Sequence, residues 1–179
     1  NFNIVGECWT RPTPAVAYWQ GGANNYNGFN SYLPSVMDFP LEEAIRQALE
    51  SDNQGWGGGL TRVYDVLTMD YMYADVNDIL IMLGNHDMDR ITDVVKDQDP
   101  RRVKLAYTLL ATMRGIPQVF YGDEYAMKSA DRRLGHSTLR MPLPLGEAVT
   151  TEMQDMFDYQ SRLFQWRKGE EVIHTGKTM

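Results

Sequence analysis

Residues 79–90 read ILIMLGNHDMDR. Ile79, Leu80, Ile81, Met82 and Leu83 follow one another without a polar residue to mark a solvent face. Such a run suits a strand buried on both faces, as in a parallel sheet covered by helices. Gly84 stops it, and Asn85, His86 and Asp87 stand at its carboxyl end. In parallel α/β architectures, ligands and chemistry gather at that end.

The pattern recurs on either side. Residues 2–9, FNIVGECW, carry Phe2, Ile4 and Val5 into Gly6 and Glu7. Residues 116–124, IPQVFYGDE, run into Gly122, Asp123 and Glu124. A fourth strand is expected at 35–39, SVMDF, with Pro40 placed to open a helix. Leu41, Ala44, Ile45, Ala48 and Leu49 then share one helical face. A helix is expected over 60–69, with Val63, Tyr64 and Leu67 inward. Asp99 and Pro100 predict a capped helix whose buried stripe is Val103, Ala106, Leu110 and Met113, closed by Gly115. A last helix is expected over 151–167, with Met153, Met156, Phe157, Leu163, Phe164 and Trp166 as apolar positions. Residues 18–33 form a loop rich in Gly, Asn and aromatics, and 129–144 a long polar loop. Four strand–helix units in register would bring carboxylates to one rim of a parallel sheet.

The chain has 179 residues, 43% hydrophobic and 11% aromatic, enough for a core and ordinarily one domain. Its formal charge is −7, from 24 acidic and 17 basic residues, which argues against nucleic acid as a partner. No apolar stretch is long enough for a membrane helix, so no membrane partner is expected. Cys8 is the lone cysteine, so no internal disulfide forms. The chain begins at Asn1, inside a strand pattern. The expectation is a fragment, with any targeting signal upstream and the compartment left open. No G-x-G-x-x-G follows any strand. Gly176–Lys177–Thr178 lacks the earlier glycine of a phosphate loop, because Glu171 stands there. Asp87, Asp89 and Asp93 do not match calcium-loop spacing, so no metal or other cofactor site is assigned.

Three motifs together resemble the α-amylase family, glycoside hydrolase family 13, nearest its neopullulanase and cyclomaltodextrinase-like members. They are GECW around Glu7, LGNHDMDR around Asp87, and ATMRGIPQVFYGDE from Ala111 to Glu124; GHSTLRMP from Gly135 adds to them. The resemblance implies an α/β fold over 1–179: the parallel-stranded second half, strands five to eight with helices, of a catalytic (β/α)₈ TIM barrel. It implies that Glu7 is the general acid/base, Asp87 stabilises the transition state and His86 contacts the sugar. The family's nucleophile, an Asp on the fourth strand with an Arg two residues before it, is not among these residues. Hydrolysis of α-1,4 and α-1,6 glucosidic bonds in starch, pullulan or cyclomaltodextrins is then the parent's expected reaction. The fragment alone is expected to be inactive. Some relatives bind calcium, although no site for it is identified here.

Retaining glycoside hydrolysis needs a protonated acid and a carboxylate nucleophile about 5 Å apart. Asp87 would supply a like charge to Glu7 and stabilise a cationic sugar. Asn85 stands beside the His-Asp pair. Trp9, Tyr18 and Trp19 are candidate sugar contacts, although aromatics in Gly-rich loops as often pack the loop itself. Asp89, Asp123 and Glu124 read better as structural. A non-catalytic α-glucan-binding module is the alternative function, and a nucleotide-binding domain ranks last. Open sheet edges make self-association of the fragment a further expectation.

Overall fold

The computed structural model describes residues 2–52 and 55–176, with only the backbone of Arg132. Lys177 and Thr178, of the rejected phosphate-loop reading, lie outside them. Among the described residues, four short strands are all parallel: β1 (Val5–Gly6), β2 (Ser35–Val36), β3 (Leu80–Met82) and β4 (Ile116–Gln118). β1 pairs with β2 through Val5–Ser35 and Gly6–Val36. β3 pairs with β4 through Leu80–Ile116, Ile81–Pro117 and Met82–Gln118. A parallel bridge from Met37 to Leu80 joins the two pairs in the order β1–β2–β3–β4.

Each strand is shorter than its apolar run. β2 gives way to a helix at Asp38, whose N–H still donates to the Leu80 carbonyl at 2.9 Å while its side chain caps α2 (Phe39–Glu50), accepting the Leu41 N–H at 3.0 Å. β4 carries Pro117, which has no N–H to give and is tolerated because β4 has one sheet neighbour among the described residues. The expected α2 stripe, Leu41 through Leu49, is buried. It packs with α3 (Thr61–Leu67), β3 and α5 (Pro100–Thr112) in one apolar cluster that includes Ile81, Leu83, Val103, Ala106, Tyr107 and Leu110. In α3 only Val63 turns fully inward, while Tyr64 faces solvent.

Two further short helices, α1 (Thr13–Ala17) and α4 (Ile91–Val94), follow β1 and the loop after β3. Asp99 caps α5 by accepting the Arg101 N–H at 2.8 Å. The long helix α6 (Thr151–Gly169) starts on Thr150 and is followed by α7 (Glu171–Thr175). The fully buried face of α6 is Met156, Gln160 and Arg167, whereas Phe157 and Trp166 stay partly exposed. Arg167 is buried because its guanidinium donates to three carbonyls left open at the end of α5 and beyond it, those of Ala111, Met113 and Gly115 at 2.6–2.8 Å.

Two polar ties hold distant segments at the sheet. Arg114, 8% exposed, bonds Asp38 at 2.7 Å and also pairs with Asp70. Gln20, 1% exposed, donates to the carbonyls of Pro34 and Asp75 and accepts the N–H groups of Ala74 and Asp75. These buried polar groups serve chain crossings, and Gln20 ties the segments that lead into β2 and β3.

Candidate active site

Because every strand runs the same way, Glu7 after β1 and Asn85, His86 and Asp87 after β3 share the carboxyl edge of the sheet. Gly6 lets the Leu33 side chain pack close to β1. A Cβ there would lie 2.7 Å from Leu33 Cδ1.

Asn85 shapes the turn that presents Asp87. Its Oδ1 accepts the Asp87 N–H at 2.8 Å and its carbonyl accepts the Met88 N–H at 3.3 Å. Asn85 is buried at 4%, while His86 is exposed. The Asp87 carboxylate is about a third exposed and surrounded by cationic or imidazole groups. Arg140 Nη2 lies 2.7 Å from Oδ1, His136 Nδ1 3.4 Å from the same oxygen, and His86 Nε2 3.2 Å from Oδ2. Partial burial pushes the Asp87 carboxyl up. The His136 hydrogen bond and the charges of His86 and Arg140 outweigh it and hold Asp87 below the ordinary carboxylate value.

Asp87 lines a hollow of about 320 Å³ with Trp9, Arg11, Arg46, Asp89 and His136. The Trp9 ring rests on Phe39, centroids 4.9 Å apart, and keeps half its surface free. Arg11 bonds Glu42 at 2.8 Å beneath it. Glu7 lines a second hollow of about 270 Å³ with Cys8, Trp19 and Leu33. The two carboxylates thus stand on one rim in separate hollows, with Cys8 between Glu7 of one hollow and Trp9 of the other.

The aromatic loop packs partly on itself. Tyr18 stacks on Phe29 at 5.0 Å and 7°, and Trp19 meets both rings edge-on. Trp19 still presents 42% of its surface, beside Glu7. Asp123 is buried and paired with Arg90, which gives it a structural place. His136, Arg140 and Arg11 are site neighbours that strand and helix patterns do not find, because they come from irregular segments. Among the described residues, no group of three or more His, Cys, Asp or Glu side chains could hold a metal ion.

A family model described as the catalytic domain of α-amylase matches residues 1–176. The chain belongs to the α-amylase catalytic-domain family. Its fold is accordingly a fragment of a (β/α)₈ barrel, seen here as parallel strands with helices between them. An α-amylase of Niallia circulans is 31% identical over 173 residues, 94% of this chain and 30% of the relative. A cyclomaltodextrin glucanotransferase of Geobacillus stearothermophilus is 34% identical over 105 residues, 59% of this chain and 14% of the relative. The solved α-amylase of Geobacillus thermoleovorans, in complex with acarbose, superposes with a TM-score of 0.72 at 25% identity, covering 97% of this chain and 35% of that one. This α-amylase-family chain therefore spans a third or less of the two curated relatives.

Proposed function

We propose that this chain carries the acid/base and the stabilising carboxylate of a retaining enzyme acting on α-glucans, in strands five to eight of its barrel. Glu7 is the acid/base. Asp87 stabilises the transition state, His86 contacts the sugar, and Asn85 fixes their turn. Trp9, Tyr18 and Trp19 offer apolar faces to sugar rings. The observation that carries the reading is the parallel register, which sets Glu7 and the Asn85–Asp87 turn at one end of the sheet.

The chemistry follows from those positions. In the first step Glu7 gives its proton to the glycosidic oxygen while a carboxylate nucleophile attacks the anomeric carbon. That nucleophile is the family's fourth-strand Asp, outside these 179 residues. The sugar passes through a cationic state, which the Asp87 carboxylate faces. In the second step Glu7 takes a proton from water, and water opens the glycosyl–enzyme bond with net retention. An acceptor sugar competes with water at the same point, so transglycosylation is a variant of one reaction.

Support for α-1,4 bonds comes from relatives named as an α-amylase and a cyclomaltodextrin glucanotransferase. Solved relatives of the same fold hold maltose and a cyclic α-maltosyl-(1→6)-maltose, which supports oligosaccharide ligands and α-1,6 linkages as a second target. In the full-length enzyme, Glu7→Gln and Asp87→Asn should each lower kcat on a maltooligosaccharide by about 10²–10⁴ with the fold intact. Near-normal turnover in either variant overturns the assignment. The isolated chain should show no turnover, and amylose cleavage by it would contradict that. β1 and β4 each lack a second neighbour among the described residues, so association of the isolated chain is expected and light scattering checks it.

A further inference from the structure

The segment after β4 folds back over Asp87. It contains a short 3₁₀ turn, His136–Leu139, ahead of Arg140. The segment is anchored by Arg90, three residues past Asp87 and 1% exposed. The Arg90 guanidinium donates to the Tyr121 carbonyl at 2.9 Å, to Asp123 at 2.6 Å and to the Leu139 carbonyl at 2.9 Å. Leu139 immediately precedes Arg140. On the other side the Tyr121 hydroxyl donates to the Met141 carbonyl at 3.0 Å. The backbone is therefore pinned on both sides of Arg140.

From that anchored position Arg140 Nη2 donates to Asp87 Oδ1 at 2.7 Å. His136 Nδ1 lies 3.4 Å from the same oxygen, and His86 Nε2 stands near Oδ2. One carboxylate oxygen is thus occupied from the β4 side and the other faces the His86 side. We propose that Arg140 is a positioning residue for Asp87, fixing its carboxylate through Oδ1 and leaving Oδ2 for the hydroxyls of a bound glucan. The proposal deepens the reading above and rests on it, since it requires Asp87 to be the stabilising group.

The charged and titratable groups around Asp87 come from four places. His86 and Asp89 lie on its own loop, and His136 and Arg140 come from the segment after β4. Arg11 comes from the loop after β1 and Arg46 from α2. Arg140 is the permanent cation bonded to Asp87 among the described residues. Without it the carboxylate takes up a proton at higher pH, so the acid side of the rate profile moves up. The pair is half exposed, which limits the effect to about two- to fivefold.

The test compares Arg140→Ala, Arg140→Lys and Asp87→Asn in the full-length enzyme on maltoheptaose. Arg140→Ala should lower kcat about two- to fivefold across the pH range and also move the acid limb up, with Arg140→Lys restoring most of the loss. A carboxyl ¹³C titration of Asp87 in this chain should show its midpoint rising in Arg140→Ala, a readout independent of turnover. An unmoved acid limb or an unmoved midpoint, with Asp87→Asn inactive, overturns the role of Arg140 and leaves the active-site reading standing. Asp87→Asn with near-normal turnover overturns that reading, and the proposal with it.

Discussion

Arg90 and Asp123 meet at 2.6 Å with side chains 1% and 3% exposed, and they tie the loop after β3 to the turn after β4. The Arg90 guanidinium also stacks against Phe120, 4.7 Å from the ring centroid. The loop that carries Asp87 and the segment that carries Arg140 are thereby tied to each other.

Breaking this pair should therefore be costly. Asp123→Ala leaves a buried guanidinium with one partner gone, for a loss of about 3–5 kcal/mol. Arg90→Met should lose at least as much, because it strands the Tyr121 and Leu139 carbonyls as well. Urea unfolding of this chain measures both. A loss below about 1 kcal/mol for either would contradict the buried-tie account.

Glu42 gives the fold a pH dependence. It is 1% exposed, its Oε1 has no hydrogen-bond partner, and Arg11 bonds its other oxygen. Burial pushes its carboxyl up to about 7, against the opposing pull of Arg11. A folded value raised above the unfolded one favours the protonated native state. That stability is fully present below the unfolded value of about 4.5 and is lost as pH rises through about 7. The chain should lose about 3 kcal/mol between roughly pH 4.5 and 8 from this group, and Glu42→Gln should remove that slope. An unchanged slope in the variant, read from urea midpoints, would refute the role of Glu42.

Gly115 sits at φ +93°, and a Cβ there would meet the Ile79 carbonyl oxygen at 2.6 Å. That oxygen accepts the Ile116 N–H at 2.8 Å, so it cannot give way without breaking the β3–β4 entry. Gly115→Ala should destabilise by about 2–4 kcal/mol. A thermal melt within a degree or two of the parent would contradict this.

The sequence is most legible where one residue type answers one local demand. Asp99 and Pro100 open α5, the stripe from Val103 to Leu110 is buried, and Gly115 takes the positive φ that its place after a helix suggests. Family membership was legible from short motifs, because strand ends in this fold carry unusual residue combinations. What stayed hidden depends on distance. Asp38 reads as a strand residue in SVMDF, yet it caps α2 and binds Arg114, 76 positions away. The 129–144 segment has no periodicity, so nothing local predicts that it returns to set His136 and Arg140 on Asp87. Phe157 and Trp166 look like core by hydropathy, but Gln160 and Arg167 take the buried face of α6 because they serve backbone carbonyls. The polar interior is decided by which carbonyls end up unpaired, and only the assembled fold determines that.

The most direct test of the account is the leaving-group dependence of Glu7→Gln in the full-length enzyme. If Glu7 is the proton donor, the variant should lose cleavage of maltooligosaccharides by about 10²–10⁴, yet still release an activated aryl group from an aryl α-maltoside, which needs no protonation. Equal loss on both substrates, or no loss on either, would show that Glu7 is not the acid of this site.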